Sequence, residues 1–198
     1  MGRGADAMHG DQGLAGQDRD NGSGASGDTG AAGGTPDPAW VESPADRAAA
    51  AHFFARTIGA DARYISHGEI QSGLSTDGKS WVPNLDALFV EDLADPGPDR
   101  GLLLLRDGDG DGGIMAAAIL LWTVTDRVRF AIIEDMAVDP AARSQGIGAR
   151  MVAAIEAEAA RREMRWIFLE SGVANLGAHG FFERHGFGLT SHTFAKQL

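Results

Sequence analysis

The apolar positions fall into blocks whose spacing changes from helical to strand-like and back. "SPADRAAAAHFFARTIG", residues 43–59, has Ser43 in a capping position, Pro44 in the first turn and Gly59 at its end, a pattern that predicts a helix. "PNLDALFVEDLADPGP" repeats the arrangement, with Asn84 as cap and Pro96 as terminator. Between them, "DARYISHGEIQSGLSTDGKSW" keeps no period and carries turn signals at Gly68, Gly73 and Asp77-Gly78. Three runs of strand formers follow in meander spacing: "GLLLLRD", "GIMAAAILLWTV" and "RVRFAIIEDMAV". The alanine- and glutamate-rich stretch from about Gly146 to Met164 predicts a helix. After it come a strand at "RWIFLES", a short helix from about Asn175 to His185 and a final strand near "LTSHTFAKQL". Helices, three strands, then helix, strand, helix, strand make an α/β chain of the α+β kind, folded as a single domain over residues 39–198.

Residues 1–38 break this pattern. "GDQGLAGQDRDNGSGASGDTGAAGGTPDP" is Gly, Asp, Ser and Ala with almost nothing large and apolar. Ordering such a segment costs about 1–2 kcal/mol per residue with little burial to offset it, so a disordered acidic tail is expected. The chain of 198 residues has 28 acidic against 17 basic side chains, a net charge of −11 and no cysteine. That balance argues against nucleic acid as partner, and the lack of cysteine excludes disulfides, thiolate metal sites and a cysteine nucleophile. The longest apolar run, "GIMAAAILLW", falls short of the roughly 18 residues that span a bilayer, and no secretory signal is seen. A cytoplasmic protein with no membrane partner is expected, and a homodimer is allowed.

"DGDGDGG" imitates two ligand motifs. Asp107, Asp109, Asp111 and Gly112 begin like a calcium loop, but its twelfth position is Ala118 rather than a bidentate glutamate. Gly108, Gly110 and Gly113 fit a dinucleotide fingerprint, but the intervening aspartates would repel a pyrophosphate. A β-hairpin connection explains the same letters without a ligand, and no metal site is expected.

"RSQGIGARM", residues 143–151, sits between the third strand and the long helix. A helix N-terminus leaves N–H groups without internal partners and partially positive. Gly146 and Gly148 would let phosphates approach those groups, and Arg143 and Arg150 would add charge. Spacing alone also fits a glycine-containing helix start with two solvated arginines.

Arg143-Ser-Gln-Gly146-Ile-Gly148 resembles the pyrophosphate motif (Q/R)-x-x-G-x-(G/A) of the GNAT superfamily of N-acetyltransferases. The preceding "EDMAVDP", the helix after the motif, the strand "WIFLES" and "N-x-x-A-x-x-F-F-E-R-H-G-F" over Asn175 to Phe187 follow in the family's order. The resemblance spans roughly residues 45–198 and is strong from about 130 onward. It implies a GNAT-like domain: a central mixed, mostly antiparallel sheet flanked by helices and splayed open between the strand ending near Val138 and the strand "RWIFLES". Acetyl-CoA, as acyl donor, would lie in the splay. Its pyrophosphate would sit at Arg143, Ser144, Gln145, Gly146, Ile147, Gly148, Ala149 and Arg150, and its arm would run along Met136, Ala137 and Val138, with Asn175 and Phe182 beside it. The Met136 N–H is implied as the donor to the thioester carbonyl.

Acetylating an amine requires a neutral nitrogen, and so a proton acceptor. Glu134 and Asp135 precede Met136, on opposite faces by the period of two. That places Glu134 with Met136 and Val138 as the leading base, with Asp135 second, while a structural or solvated carboxylate is the other reading of Glu134. Where many members of the family carry a tyrosine general acid, this chain has Phe182. Tyr64, its single tyrosine, is expected to lie too far off in sequence to replace it. If Gly186 caps the last helix, Phe187 should pack on Phe182. His179 and His185 suit surface or capping positions. In the irregular stretch, His67 and Glu69 are candidates to line the acceptor pocket, Glu69 for a cationic amine. The reading is an acetyl-CoA-dependent N-acetyltransferase acting on a primary amine of a small molecule or peptide, by direct attack in a ternary complex. A non-catalytic acyl-CoA-binding module, and transfer to oxygen or from longer acyl donors, are the alternatives.

Overall fold

The computed structural model describes residues 37–108 and 112–198. The expected tail lies almost wholly outside the described residues, as do Asp109, Gly110 and Asp111 of the hairpin turn. Strands β1 (Ala39–Val41), β2 (Arg100–Arg106), β3 (Ile114–Val124), β4 (Arg129–Val138) and β5 (Trp166–Leu169) form one sheet in that order. The first four are antiparallel, and β5 runs parallel to β4. The β2–β3 connection is a hairpin, with the Asp107 N–H donating to the Gly113 carbonyl at 3.0 Å.

Helices α1 (Pro44–Gly59), α2 (His67–Gln71) and α3 (Leu85–Ala94) precede β2, α4 (Ile147–Arg161) connects β4 to β5, and α5 (Leu176–Arg184) follows. Ser43 caps α1 as its position predicts, its Oγ accepting from the Asp46 N–H at 3.0 Å. Asn84 holds the corresponding place before α3, but its side chain makes no capping bond.

β2 and β3 are buried on both faces over most of their length, so they read as continuous apolar runs rather than as alternations, whereas β5 leaves Trp166 and Phe168 exposed. Leu102 and Leu104 of β2 face the cluster that holds Phe53, Phe54 and Phe89 of α1 and α3. Leu103 and Leu105 face the other cluster, against α4. On α4, the buried residues Ile147, Met151, Ile155 and Ala159 recur every fourth position, the stripe that a helix on a sheet requires. Each large member of that stripe contributes about 1.5–3 kcal/mol by its burial. Ala116, Ala117 and Ala118 of β3 have no exposed surface, and their small side chains let the layers close.

Besides Asn84, three features depart from the sequence reading, the first being β1, a strand that the sequence does not predict. The irregular stretch contains α2, fixed by a capping box in which Ser66 and Glu69 each cap the other's backbone. The expected final strand does not form: residues 187–198 have no regular secondary structure, and Leu189 and Phe194 are exposed. "LTSHTFAKQL" has too few large apolar residues to give a strand a face to bury.

Candidate active site

β5 pairs with β4 only from Phe130 to Ile133, so β4 beyond Glu134 has lost its neighbour on that side. The Asp139 N–H donates to Met115 of β3 at 2.8 Å. Successive backbone groups of a strand point to alternate sides. The N–H groups of Met136 and Val138 therefore face the gap, and that of Ala137 faces β3. The gap opens into a cleft with α2 and the turn before it on one side and α5 on the other. Tyr64 and Glu69 line the first wall, Glu134, Asp135 and Met136 the floor, and Ser171, Asn175 and Phe182 the second.

A β-bulge shapes the floor. Ile133 pairs with Leu120 and Asp135 with Ile119, which leaves Glu134 without an opposite residue. The alternation expected from a period of two is broken there. Ile133, Met136 and Val138 pack with the α4 cluster, and Ala137 with the α1–α3 cluster. Glu134 does not share a face with Met136 and Val138. Its Oε2 accepts from Arg100 Nε of β2 at 2.7 Å, and the same guanidinium holds Asp92 of α3 at 2.7 Å.

Asp135 keeps part of its surface open although it lies deep in the sheet, and its carboxylate has no hydrogen-bonded partner among the described residues. Burial pushes its pKa well above the usual aspartate range, and the charges of Glu69, Glu134 and Asp92 push the same way against a pull from Arg100. The Oγ of Ser171 is also buried without a partner. Of the expected acceptor-side residues, Glu69 lines the cleft while accepting from the Ser66 N–H at 2.6 Å. His67 instead pairs with Glu170 at 2.9 Å, tying α2 to the end of β5.

At the other end of the gap, Gly146 begins α4 with φ 77° and no capping side chain, so the N–H groups of the first turn await an outside acceptor. Ser144 shares the left-handed conformation at φ 64°. Alternation of such residues gathers backbone N–H groups into an anion-binding concavity. A Cβ on Gly146 would meet nothing within 4 Å, so the space before it is open. Gly148 differs: its missing side chain makes room for the Phe181 ring of α5. Ser144, Gln145 and Gly146 are exposed, and Ile147 is buried beneath α4. Arg150 pairs with Asp37 at 3.1 Å.

Arg143 turns back from the loop, donating through Nε to the Val138 carbonyl at 3.2 Å and through Nη2 to the Tyr64 hydroxyl at 3.3 Å. Tyr64, expected to be remote, is thus a wall of the cleft. Asn175 caps α5, its Oδ1 accepting from the Ala178 N–H at 3.4 Å, and also faces the cleft. Gly186 is left-handed, and the Phe182 and Phe187 rings meet at 5.4 Å as the sequence suggests. His179 and His185 lie against the carbonyls of Gly172 and Phe181. Uncapped N–H groups at one end of the gap and outward N–H groups along β4 fit a long ligand with an anionic end. Among the described residues, no cluster of His, Asp or Glu is placed to hold a metal ion, and no helix is long and apolar enough to cross a membrane.

Comparison with known proteins bears on the family and the fold. The Acetyltransferase (GNAT) family matches residues 71–187. A tetramutant of the BH1408 protein from Bacillus halodurans superposes with a TM-score of 0.57 over 81% of this chain and 99% of its own, at 16% identity. Ribosomal-protein-alanine N-acetyltransferase from Brucella melitensis biovar Abortus 2308 does so with a TM-score of 0.55 over 82% of this chain and 100% of its own, at 15% identity. At such identities these are likenesses of fold. No curated protein matches the chain.

Proposed function

The chain belongs to the GNAT acetyltransferase family, and on that premise we propose that it transfers the acetyl group of acetyl-CoA to a primary amine by direct attack in a ternary complex. The observation that carries this reading is the gap itself. It brings the outward N–H groups of Met136 and Val138, the uncapped start of α4 and the unpartnered Asp135 carboxylate into one cleft.

The diphosphate of the donor binds the N–H groups of the loop from Ser144 to Ala149, where a helix N-terminus and two left-handed residues supply positive potential. Its arm follows β4 by hydrogen bonds to Met136 and Val138, beside Asn175 and Phe182. The Met136 N–H polarises the thioester carbonyl and strengthens its bond as negative charge develops on the oxygen. Asp135 accepts the amine proton, because a carboxyl of raised pKa is the better-matched base near neutrality. Glu134, whose Oε2 is already engaged by Arg100, has the lesser role of holding that guanidinium. The acceptor enters from the side of α2, where Glu69 and Glu170 favour an amine that arrives as a cation, on a small molecule or a peptide. The enzyme acts in the cytoplasm.

The test is release of free CoA thiol from acetyl-CoA with a panel of diamines, amino acids and peptides. Amine-dependent release supports the transferase. Phe182, which cannot donate a proton, favours one rival reading, a binding module. Tight acetyl-CoA binding with no thiol release from any amine would establish that rival.

A further inference from the structure

Acetyl transfer moves two protons: the amine loses one and the departing sulfur gains one. When the C–S bond of the thioester breaks, its electron pair stays on sulfur, which must gain a proton to leave as a thiol. Phe182 has none to give, and Asp135 takes one up. Among the described residues that line the cleft, the side chains with a hydroxyl are Tyr64 and Ser171. An alkyl hydroxyl is a far weaker acid than a phenol.

We propose, building on the transferase reading above, that Tyr64 protonates the departing sulfur. Arg143 has only donors, so at its contact with Tyr64 the phenol oxygen accepts, and the hydroxyl hydrogen is directed away from the guanidinium and free to be donated elsewhere. The same guanidinium holds the Val138 carbonyl, which places the hydroxyl next to the open edge of β4 where the donor's arm would lie. The turn carrying Tyr64, Ala62–Tyr64, is fixed at its start by Asp61, whose Oδ1 accepts from the Arg63 N–H at 3.0 Å. Its other side is fixed by Gly172 after β5, where any side chain would fall on the carbonyls of Arg63 and Ile65. The Tyr64 ring packs against the α1–α3 core. An element far upstream in sequence thus delivers a proton donor to the place where α5 offers phenylalanine.

The step balances. The neutral amine attacks the carbonyl carbon, a C–N bond forms and the C–S bond breaks. The amine proton passes to the Asp135 carboxylate and the Tyr64 proton to sulfur, giving amide and CoA thiol. Solvent then takes the proton from Asp135 and returns one to Tyr64.

The experiment compares Tyr64→Phe with the wild type, using acetyl-CoA and an amine that supports thiol release. Loss of a single oxygen should lower kcat about 10²–10⁴-fold, leave the calorimetric affinity for acetyl-CoA and its KM nearly unchanged, and abolish the fall of kcat at alkaline pH. Melting curves of both proteins show that the fold is kept. If kcat and its alkaline limb are the same in both proteins, or only KM changes, Tyr64 is not the acid, although the transferase stands. If the wild type itself releases no thiol with any amine, the transferase reading fails, and the role of Tyr64 falls with it.

Discussion

Gly148 lies against the ring of Phe181: a Cβ at position 148 would stand 3.0 Å from two of the ring carbons. The second glycine of the anion loop therefore has a packing role, holding the start of α4 close to α5. Gly148→Val should cost about 1–3 kcal/mol through overpacking, read from denaturant unfolding. Adding Phe181→Leu should recover part of the loss, because the two sites are in contact and their effects do not add. A Gly148→Val protein as stable as the wild type would show that α5 yields freely.

Asp135 should make activity and stability respond to pH in opposite directions. Its folded pKa is raised, so the stability it allows is fully present below the ordinary aspartate range and is lost as pH rises through the raised value. As the proposed base it works only once ionised. Asp135→Asn should match the wild type in stability at acid pH and exceed it near neutrality, while kcat falls about 10²–10⁴-fold and loses its acid limb. Unfolding curves at several pH values, set beside kcat profiles, check both halves.

Arg100 is the cation among these carboxylates. Arg100→Met keeps the stem but leaves Glu134 and Asp92 facing each other unpaired, at a cost of about 2 kcal/mol. Removing its pull on Asp135 should also move the acid limb of kcat to higher pH. A limb that stays in place would mean that a different group sets it.

Glu158 on α4 provides a check remote from the cleft. Hydrogen bonding to Arg161 holds its carboxyl at about 2 and Arg162 adds to the effect, against some opposition from burial. A depressed pKa gives stability that is present above the ordinary glutamate value and lost as pH falls toward about 2. Glu158→Gln should be less stable than the wild type at neutral pH, with the gap closing across that acid window in urea titrations.

Much of the layer order could be read from the chain, because buried strands leave continuous apolar runs and amphipathic helices leave a period in the sequence. Ile147, Met151, Ile155 and Ala159 show the face of α4, and Ser43 with Pro44 shows the start of α1. The box of Ser66 and Glu69 was equally present in the letters, although the segment it starts is too short to show a period. The bulge at Glu134 leaves no such trace. A single unpaired residue is a property of register between two strands, and it decides which carboxylate faces which layer. Tyr64 was hidden for a related reason: its position depends on Gly172 and Arg143, more than 70 residues away, through contacts that no local pattern encodes. The final strand was read from residues whose side chains have nothing to pack on.

The short reach of β5 also has a thermodynamic consequence. A sheet that stops pairing at Ile133 leaves Met136 and Val138 with hydrogen-bonding capacity that nothing in the strand order satisfies. A donor lying along that edge would act as the missing strand, and whatever binds only the native fold shifts the folding equilibrium toward it. At a hundredfold excess over Kd the gain is about 2.7 kcal/mol. Acetyl-CoA should therefore raise Tm and slow amide exchange at Met136 and Val138. Desulfo-CoA, which keeps the diphosphate and most of the arm, should do nearly as well, whereas inorganic pyrophosphate should protect only the start of α4. The substrate would then be, while it is bound, part of the sheet.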